Sequence, residues 1–287
     1  MDPRAREEVT RLCGAAIARV APLSGGDINE AWRVDLADGR QVFTKTNARA
    51  PRDMFAVEAE GLAWLAAAEA VRVPRVLGVS EICLVLEHLE PGRPDRTFDE
   101  RLGRALAKLH AAGAARFGFE RDNFIGRLPQ SNGPVASAGW AAFYRERRLE
   151  PQIKQATEAG LLPPRMRRAL TLLLDSLERR VGPPEPPARL HGDLWGGNAL
   201  CTAGAEPCLI DPAVYGGHRE VDLAMMRLFG GFGPRVFAAY AEASPLASGH
   251  EERVPLYQTY YLLVHVNLFG VGYLGQVESA LTQLGVG

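Results

Sequence analysis

HGDLWGGNAL, residues 191–200, and PCLIDPA, residues 207–213, gather three oxygen-bearing side chains into a short span of chain. Asp193 and Asn198 are spaced D-x-x-x-x-N. Asp211 lies thirteen residues past Asn198, beyond the turn Thr202-Ala203-Gly204, which separates two short apolar runs. A hairpin folded at that turn brings all three groups to one end. Phosphoryl transfer calls for such a set: one carboxylate accepts the proton of an attacking hydroxyl, while a second carboxylate and an amide oxygen hold Mg²⁺ on the phosphates. Asp and Asn beside glycines also make ordinary turns. Asp211 weighs against that reading, because it leaves the apolar run Cys208-Leu209-Ile210 just before Pro212, a poor place for an unused charge.

A second signal lies upstream. Lys45 ends the strand-like run VFTK, and Glu58 follows thirteen residues later in the Ala-rich helical segment 54–70. At 100° per residue Glu58 shares the face of Phe55, Leu62 and Leu65, whereas Glu60 points away. A carboxylate on a buried face requires a cation, and Lys45 supplies one. A strand lysine held by a helix glutamate is how kinase-like enzymes aim an ammonium at the α- and β-phosphates of ATP. Ser24-Gly25-Gly26-Asp27 precedes a β-like stretch, and the Gly25 and Gly26 amides are suited to covering a nucleotide, although a glycine pair alone is most often a turn. No G-x-x-x-x-G-K-[ST] occurs, which excludes a P-loop enzyme, and no G-x-G-x-x-G opens a helix.

The remaining pattern is mixed. Residues 2–19 have helical spacing through Val9, Leu12, Cys13 and Ala16. The alternation Trp32, Val34, Leu36, the turn Asp38-Gly39 and the run through Val42 and Phe43 predict a hairpin. Short strands are expected at 75–79 and 82–87, after which EPGRPD breaks the pattern. Helices are expected at 99–112, 137–156, 164–181, 220–228, 233–243 and 254–278. The fold class is therefore α+β: a small β-rich N-terminal lobe, 1–88, and a larger, mainly helical lobe, 89–287. Trp140, Phe143 and Tyr144 read as core, and the run RERRLE as a solvated helix face.

Composition sets the outer limits. The 287 residues hold 33 Lys+Arg and 34 Asp+Glu, a net charge of −1. Such a chain has no overall field to gather nucleic acid or an anionic membrane. Its four cysteines show no zinc spacing, and MDPRAREEVTRL has no apolar signal core, so a cytoplasmic protein is expected. YYLLVHVNLFGVGYL is broken by His265, Asn267 and glycines, and reads as a buried helix.

Taken in order, the glycine loop, Lys45, Glu58, the stretch Glu87-His88-Leu89, HGDLWGGN and DPA resemble the aminoglycoside-phosphotransferase branch of the protein-kinase-like fold. More narrowly, FGFERDNFIGRLPQSNG, the Trp after HGDL, and REVDLAM with FGGF resemble the fructosamine kinase (ketosamine 3-kinase) family over about residues 10–280. The resemblance implies a bilobal kinase-like fold. Its members transfer the γ-phosphoryl of ATP to the 3-hydroxyl of a ketosamine, whose unstable product sheds the sugar.

By that resemblance Asp193 is the catalytic base, Asn198 and Asp211 hold Mg²⁺, and Lys45 with Glu58 positions ATP. Gly25 and Gly26 cover the nucleotide, and Glu87, His88 and Leu89 form its hinge. Trp195 is placed to stack on a sugar, while His218 and Arg219 are candidate readers of substrate hydroxyls. Arg219 also has a structural reading, paired with Glu220 or Asp222. Asp27 stands where some members have a cysteine, and Gly216 where an aromatic residue is common. Another hydroxyl acceptor, such as an aminoglycoside, choline or a sugar, and a non-catalytic nucleotide-binding scaffold are the alternatives. A monomer acting on a small ketosamine or glycated amine is expected.

Overall fold

Asp2 starts the first helix and Gly14 stops it. The Asp2 carboxylate accepts the Arg4 amide at 2.9 Å, Pro3 occupies the first turn, and Gly14 takes φ 64° with its amide on the Thr10 carbonyl, so α1 spans Pro3–Cys13. Past Gly14 the helical spacing rested on Ala16 alone. The chain instead turns at Gly14 and enters β1 (Ile17–Leu23), which corrects the longer helix. The computed structural model describes residues 1–23, 28–137 and 139–287. Gly25 and Gly26 therefore lie outside the described residues.

The expected hairpin is β2 (Glu30–Leu36) and β3 (Gln41–Thr46), with β1 antiparallel on its edge. After α2 (Met54–Ala66), β4 (Val76–Val79) and β5 (Cys83–Glu87) complete one sheet in the order β1-β2-β3-β5-β4. Lys45 thus sits on a central strand, paired with Ala31 on one side and Leu84 on the other.

Helices dominate the rest. The elements are α3 (Phe98–Ala111), β6 (Asn123–Ile125), β7 (Leu128–Gln130), α4 (Trp140–Tyr144), α5 (Glu150–Glu158), α6 (Pro164–Asp175), β8 (Ala188–Leu190), β9 (Ala199–Cys201), β10 (Pro207–Leu209), β11 (Tyr215–Gly217), α7 (Glu220–Leu228), α8 (Pro234–Ala243), α9 (His250–Phe269) and α10 (Leu274–Gln283). The single helix expected over 254–278 is two, separated where Gly270 adopts φ 89°. No helix among the described residues is long and apolar enough to cross a membrane. Trp140, Phe143 and Tyr144 are core, as their spacing predicted.

Arg148 is the clearest departure. RERRLE read as a solvated face, yet α4 passes into α5 through a π-helical turn, Arg145–Leu149, that carries Arg148 fully inside. Its guanidinium lies 3.8 Å from the Tyr215 ring centroid and donates to the Ser131 carbonyl and Asn132 Oδ1, each at 2.7 Å. Ring faces and carbonyls replace water around the cation. Asn132 and Gln130 bond Asn123 in turn, and Asn123 donates to the Val214 carbonyl at 2.8 Å. This buried polar chain props the segment just past Asp211.

Two pairings bring the functional stretches together. β8 lies antiparallel to β11, with Leu190 opposite Tyr215, so the segments leading out of β8 and into β11 run side by side, and the Ala213 amide donates to the His191 carbonyl at 2.9 Å. The β9–β10 hairpin carries Asn198 and Ile210 at its open end, where the Ile210 amide meets the Asn198 carbonyl at 3.0 Å.

Gly216 exchanges backbone hydrogen bonds with Gly118, and an added Cβ would lie 2.1 Å from the Arg116 carbonyl oxygen. No aromatic side chain fits there. Gly216→Ala should lower stability by about 1–3 kcal/mol, as overpacking against backbone does, read as a reduced denaturant midpoint. An unchanged midpoint would show that Arg116 yields freely.

Candidate active site

Lys45 is 6% exposed and bridges two carboxylates. Its Nζ lies 2.5 Å from Glu58 Oε1 and 2.8 Å from Asp211 Oδ1. Burial alone would lower its pKa, but Asp211 and Glu58 together reverse that and raise it, so it stays an ammonium. Glu58 is raised by burial and by Asp211, against the pull of Lys45. The face assignment in α2 holds: Phe55, Leu62 and Leu65 are buried beside Glu58, while Glu60 is more open and pairs with Arg121 at 2.9 Å.

Asn198 joins the other two groups. Its Nδ2 donates to the Asp193 carbonyl at 2.8 Å, approaches Asp193 Oδ2 at 3.4 Å and reaches the Asp211 carbonyl at 3.4 Å. Asp211 holds φ 55°, a left-handed conformation that Asp tolerates better than most residues. Burial, with the neighbouring charges of Asp211 and Asp222, pushes the Asp193 carboxyl up to about 7 despite Asn198 and Lys45. Lys45, Glu58, Asp193, Asn198 and Asp211 are therefore drawn together from three parts of the chain.

The loop that carries Asp193 is held from below. His191 donates from Nε2 to the Ile210 carbonyl at 2.8 Å, and its Nδ1 faces the Asp193 amide at 3.3 Å. Burial lowers the His191 pKa, so it serves as a neutral brace. Asp222 on α7 accepts the His191 and Gly192 amides at 2.8 and 2.9 Å. Its third partner is His110 Nε2 at 3.2 Å, and His110 Nδ1 meets the Tyr240 hydroxyl at 2.8 Å. Despite complete burial, Asp222 is held below the usual carboxylate range by His110, His191 and the Gly192 amide. Tyr261 of α9 donates to the Gly192 carbonyl at 2.8 Å. Gly192 itself has φ 83°, and a Cβ there would strike the Ala213 carbonyl at 2.0 Å.

The model of the family described as fructosamine kinase matches residues 1–285. The chain belongs to the fructosamine kinase family. A Thermus thermophilus protein named "probable ketoamine kinase" is 43% identical over 264 residues, 91% of this chain and 92% of that one. The Arabidopsis thaliana chloroplastic protein-ribulosamine 3-kinase is 34% identical over 287 residues, 98% and 86% of the two chains. A solved Thermobifida fusca structure bearing the name fructosamine-3-kinase superposes with TM-score 0.89 at 41% identity, covering 97% of each chain. An aminoglycoside phosphotransferase in complex with gentamicin, at TM-score 0.65 and 14% identity over 99% and 96% of the chains, shows the same bilobal kinase-like fold.

Within that family frame, two expected substrate contacts do not reach the cluster. His218 is 2% exposed, stacked on Tyr257 with ring centroids 5.6 Å apart. Arg219 is committed to Glu185, with both contacts at 2.9 Å, and to Ser244. It is a strut, but its partner is neither Glu220 nor Asp222, since Glu220 pairs with Arg253 and Asp222 holds the loop. Trp195 is 42% exposed and lies over Gly197, where an added Cβ would sit 2.3 Å from the indole.

At the end of β5, the Glu87 carboxylate binds Arg72 at 2.6 Å and Arg75 at 3.2 Å, while His88 lies 3.5 Å from Glu90. His88 and Leu89 line a recess of about 570 Å³ with Arg72, Thr202 and Glu206, which does not include Lys45 or Asp211. Asp222, His110 and Tyr261 escaped sequence reasoning. Asp222, like Glu58, is a carboxylate within an apolar helical run, and that placement in α7 is the signal that marks it.

Proposed function

We propose that this chain is an ATP-dependent kinase that phosphorylates the O3 hydroxyl of fructosamine-type ketosamines, serving deglycation. The observation that carries the reading is the five-residue cluster itself, set in a member of the fructosamine kinase family. Asp193 is the base: a carboxylate raised to about 7 takes the proton of the attacking hydroxyl efficiently near neutral pH. Lys45 neutralises the triphosphate, and Glu58 keeps its ammonium pointed outward from the sheet. Glu87, His88 and Leu89 form the linker beside which the adenine binds, and Trp195 offers an indole face to the sugar.

The residues present fit a magnesium ion. Because the Asn198 amide nitrogen must face the Asp193 carbonyl, its Oδ1 is left as a hard donor, and the Asp211 side chain is 39% exposed. When bound, Mg²⁺ supplies charge neutralisation for the phosphate oxygens. Phosphate transfer from ATP to a defined fructosamine, with the product position assigned by ³¹P and ¹³C NMR, tests the assignment. Transfer only to aminoglycosides, choline or free sugars would overturn it.

A further inference from the structure

An uncovered aromatic surface lies against the catalytic loop. Tyr261 touches Gly192, and on the same face of α9 His265 follows one turn later and Phe269 one turn beyond. From the other side, the loop after α7 packs on Gly196, where a Cβ added to Gly231 would lie 2.9 Å from the Gly196 Cα. Phe229, at the head of that loop, meets His265 with ring centroids 4.7 Å apart, and His265 lies 5.6 Å from Phe269 and 4.9 Å from Tyr273. The rings are thus anchored at Gly192 and Gly196, the two glycines that bracket Asp193.

His265 and Tyr273 are half-buried, and the two outer rings are open. Phe229 is 37% exposed and Phe269 46%, compared with 1% or less for Tyr260 and Tyr261 on the preceding turn. The end of α9 also reaches the N-terminal sheet region: a Cβ on Gly126, in the β6–β7 turn, would lie 2.9 Å from Ile28 and 3.0 Å from Leu268. Phe269 therefore stands where the helical part meets the segment entering β2. His265 donates from Nδ1 to the Tyr261 carbonyl at 2.7 Å, and its Nε2 has no hydrogen-bond partner among the described residues. Burial lowers its pKa, which leaves the Nε2 lone pair free to accept.

We propose that Phe229, His265, Phe269 and Tyr273 form a subsite for the amine half of the acceptor, one that takes an aromatic or long aliphatic N-substituent next to a protonated secondary amine. The inference rests on the ketosamine reading above. In a ketosamine only three carbons separate O3 from the nitrogen, so with O3 at Asp193 the substituent beyond the nitrogen must run alongside the catalytic loop. Ring faces attract the ammonium, apolar area is buried by the substituent, and His265 Nε2 accepts an N–H.

The test compares kcat/KM for the fructose adducts of benzylamine and methylamine, which share the sugar and the cation and differ only in apolar substituent. Wild type should favour the benzylamine adduct by about tenfold or more, the range that hydrophobic pocket contacts give. Phe269→Ala and Phe229→Ala should each bring the ratio close to one with the KM for ATP unmoved. Both rings are more than a third exposed, so truncation opens no core cavity, and a thermal melt confirms folding. Equal values for the two adducts in wild type, or a preference that survives both substitutions, overturns the subsite. Phosphorylation of neither adduct by wild type would remove the ketosamine reading and the subsite with it.

Discussion

Replacing Asp193 by Asn is expected to lower kcat by about 10²- to 10⁴-fold, the usual contribution of a positioned general base, with little change in the KM for ATP. The amide is isosteric, and the main anchor in this region, Asn198 Nδ2 on the Asp193 carbonyl, is a backbone contact that survives the change. Stability gives a second, independent readout. A carboxyl raised to about 7 by burial, Asp211 and Asp222 binds its proton more tightly folded than unfolded. Stability is then lost as pH rises from the unfolded value near 4 through 7, because the folded state resists ionisation. The Asn variant carries no such penalty. Its melting temperature, measured without metal or nucleotide, should exceed that of wild type at pH 8 and approach it at pH 5. A residue that merely made a turn would show the opposite: full turnover, or a less stable variant at pH 8.

That electrostatic cost explains why the site could be read from sequence at all. Charges on otherwise apolar stretches stand out: Glu58 was legible because the helical period put it on the buried face of α2, and Asp211 because it directly follows a buried apolar run while staying 39% exposed itself. Family motifs then fixed the fold. What stayed hidden depends on partners distant in sequence. Arg148 looked solvated because a π-helical turn, which shifts the facing of every later residue, leaves no mark in a run of charges. Arg219 finds Glu185, thirty-four positions earlier, across an intervening hairpin that spacing cannot measure. β1 was hidden because the alanines around Ile17 (Ala15, Ala16 and Ala18) suit either period, and it pairs only because β2 is present. The local chemistry of the site was therefore readable, whereas the partners of the struts that hold it, Glu185 for Arg219 and Tyr215 for Arg148, were not.

Lys45→Met should lower kcat by about 10²- to 10³-fold, the scale for losing one preorganised charge at a phosphoryl-transfer site. Methionine nearly preserves the shape, so the change isolates the ammonium. Removing it also strands Glu58, whose side chain is 13% exposed, beside Asp211. Breaking one side of a buried ion pair costs about 3–5 kcal/mol, moderated here by protonation of a Glu58 that burial already raises. Adding Glu58→Gln should return part of that stability by removing the orphaned carboxylate. The same cycle separates the two roles in catalysis. If Glu58 acts only by holding Lys45, Glu58→Gln slows the wild-type enzyme but costs nothing further in the Lys45→Met background. Strictly additive losses in kcat would mean that Glu58 contacts the reacting groups itself, and the strand-lysine arrangement would then have to be redrawn around a carboxylate.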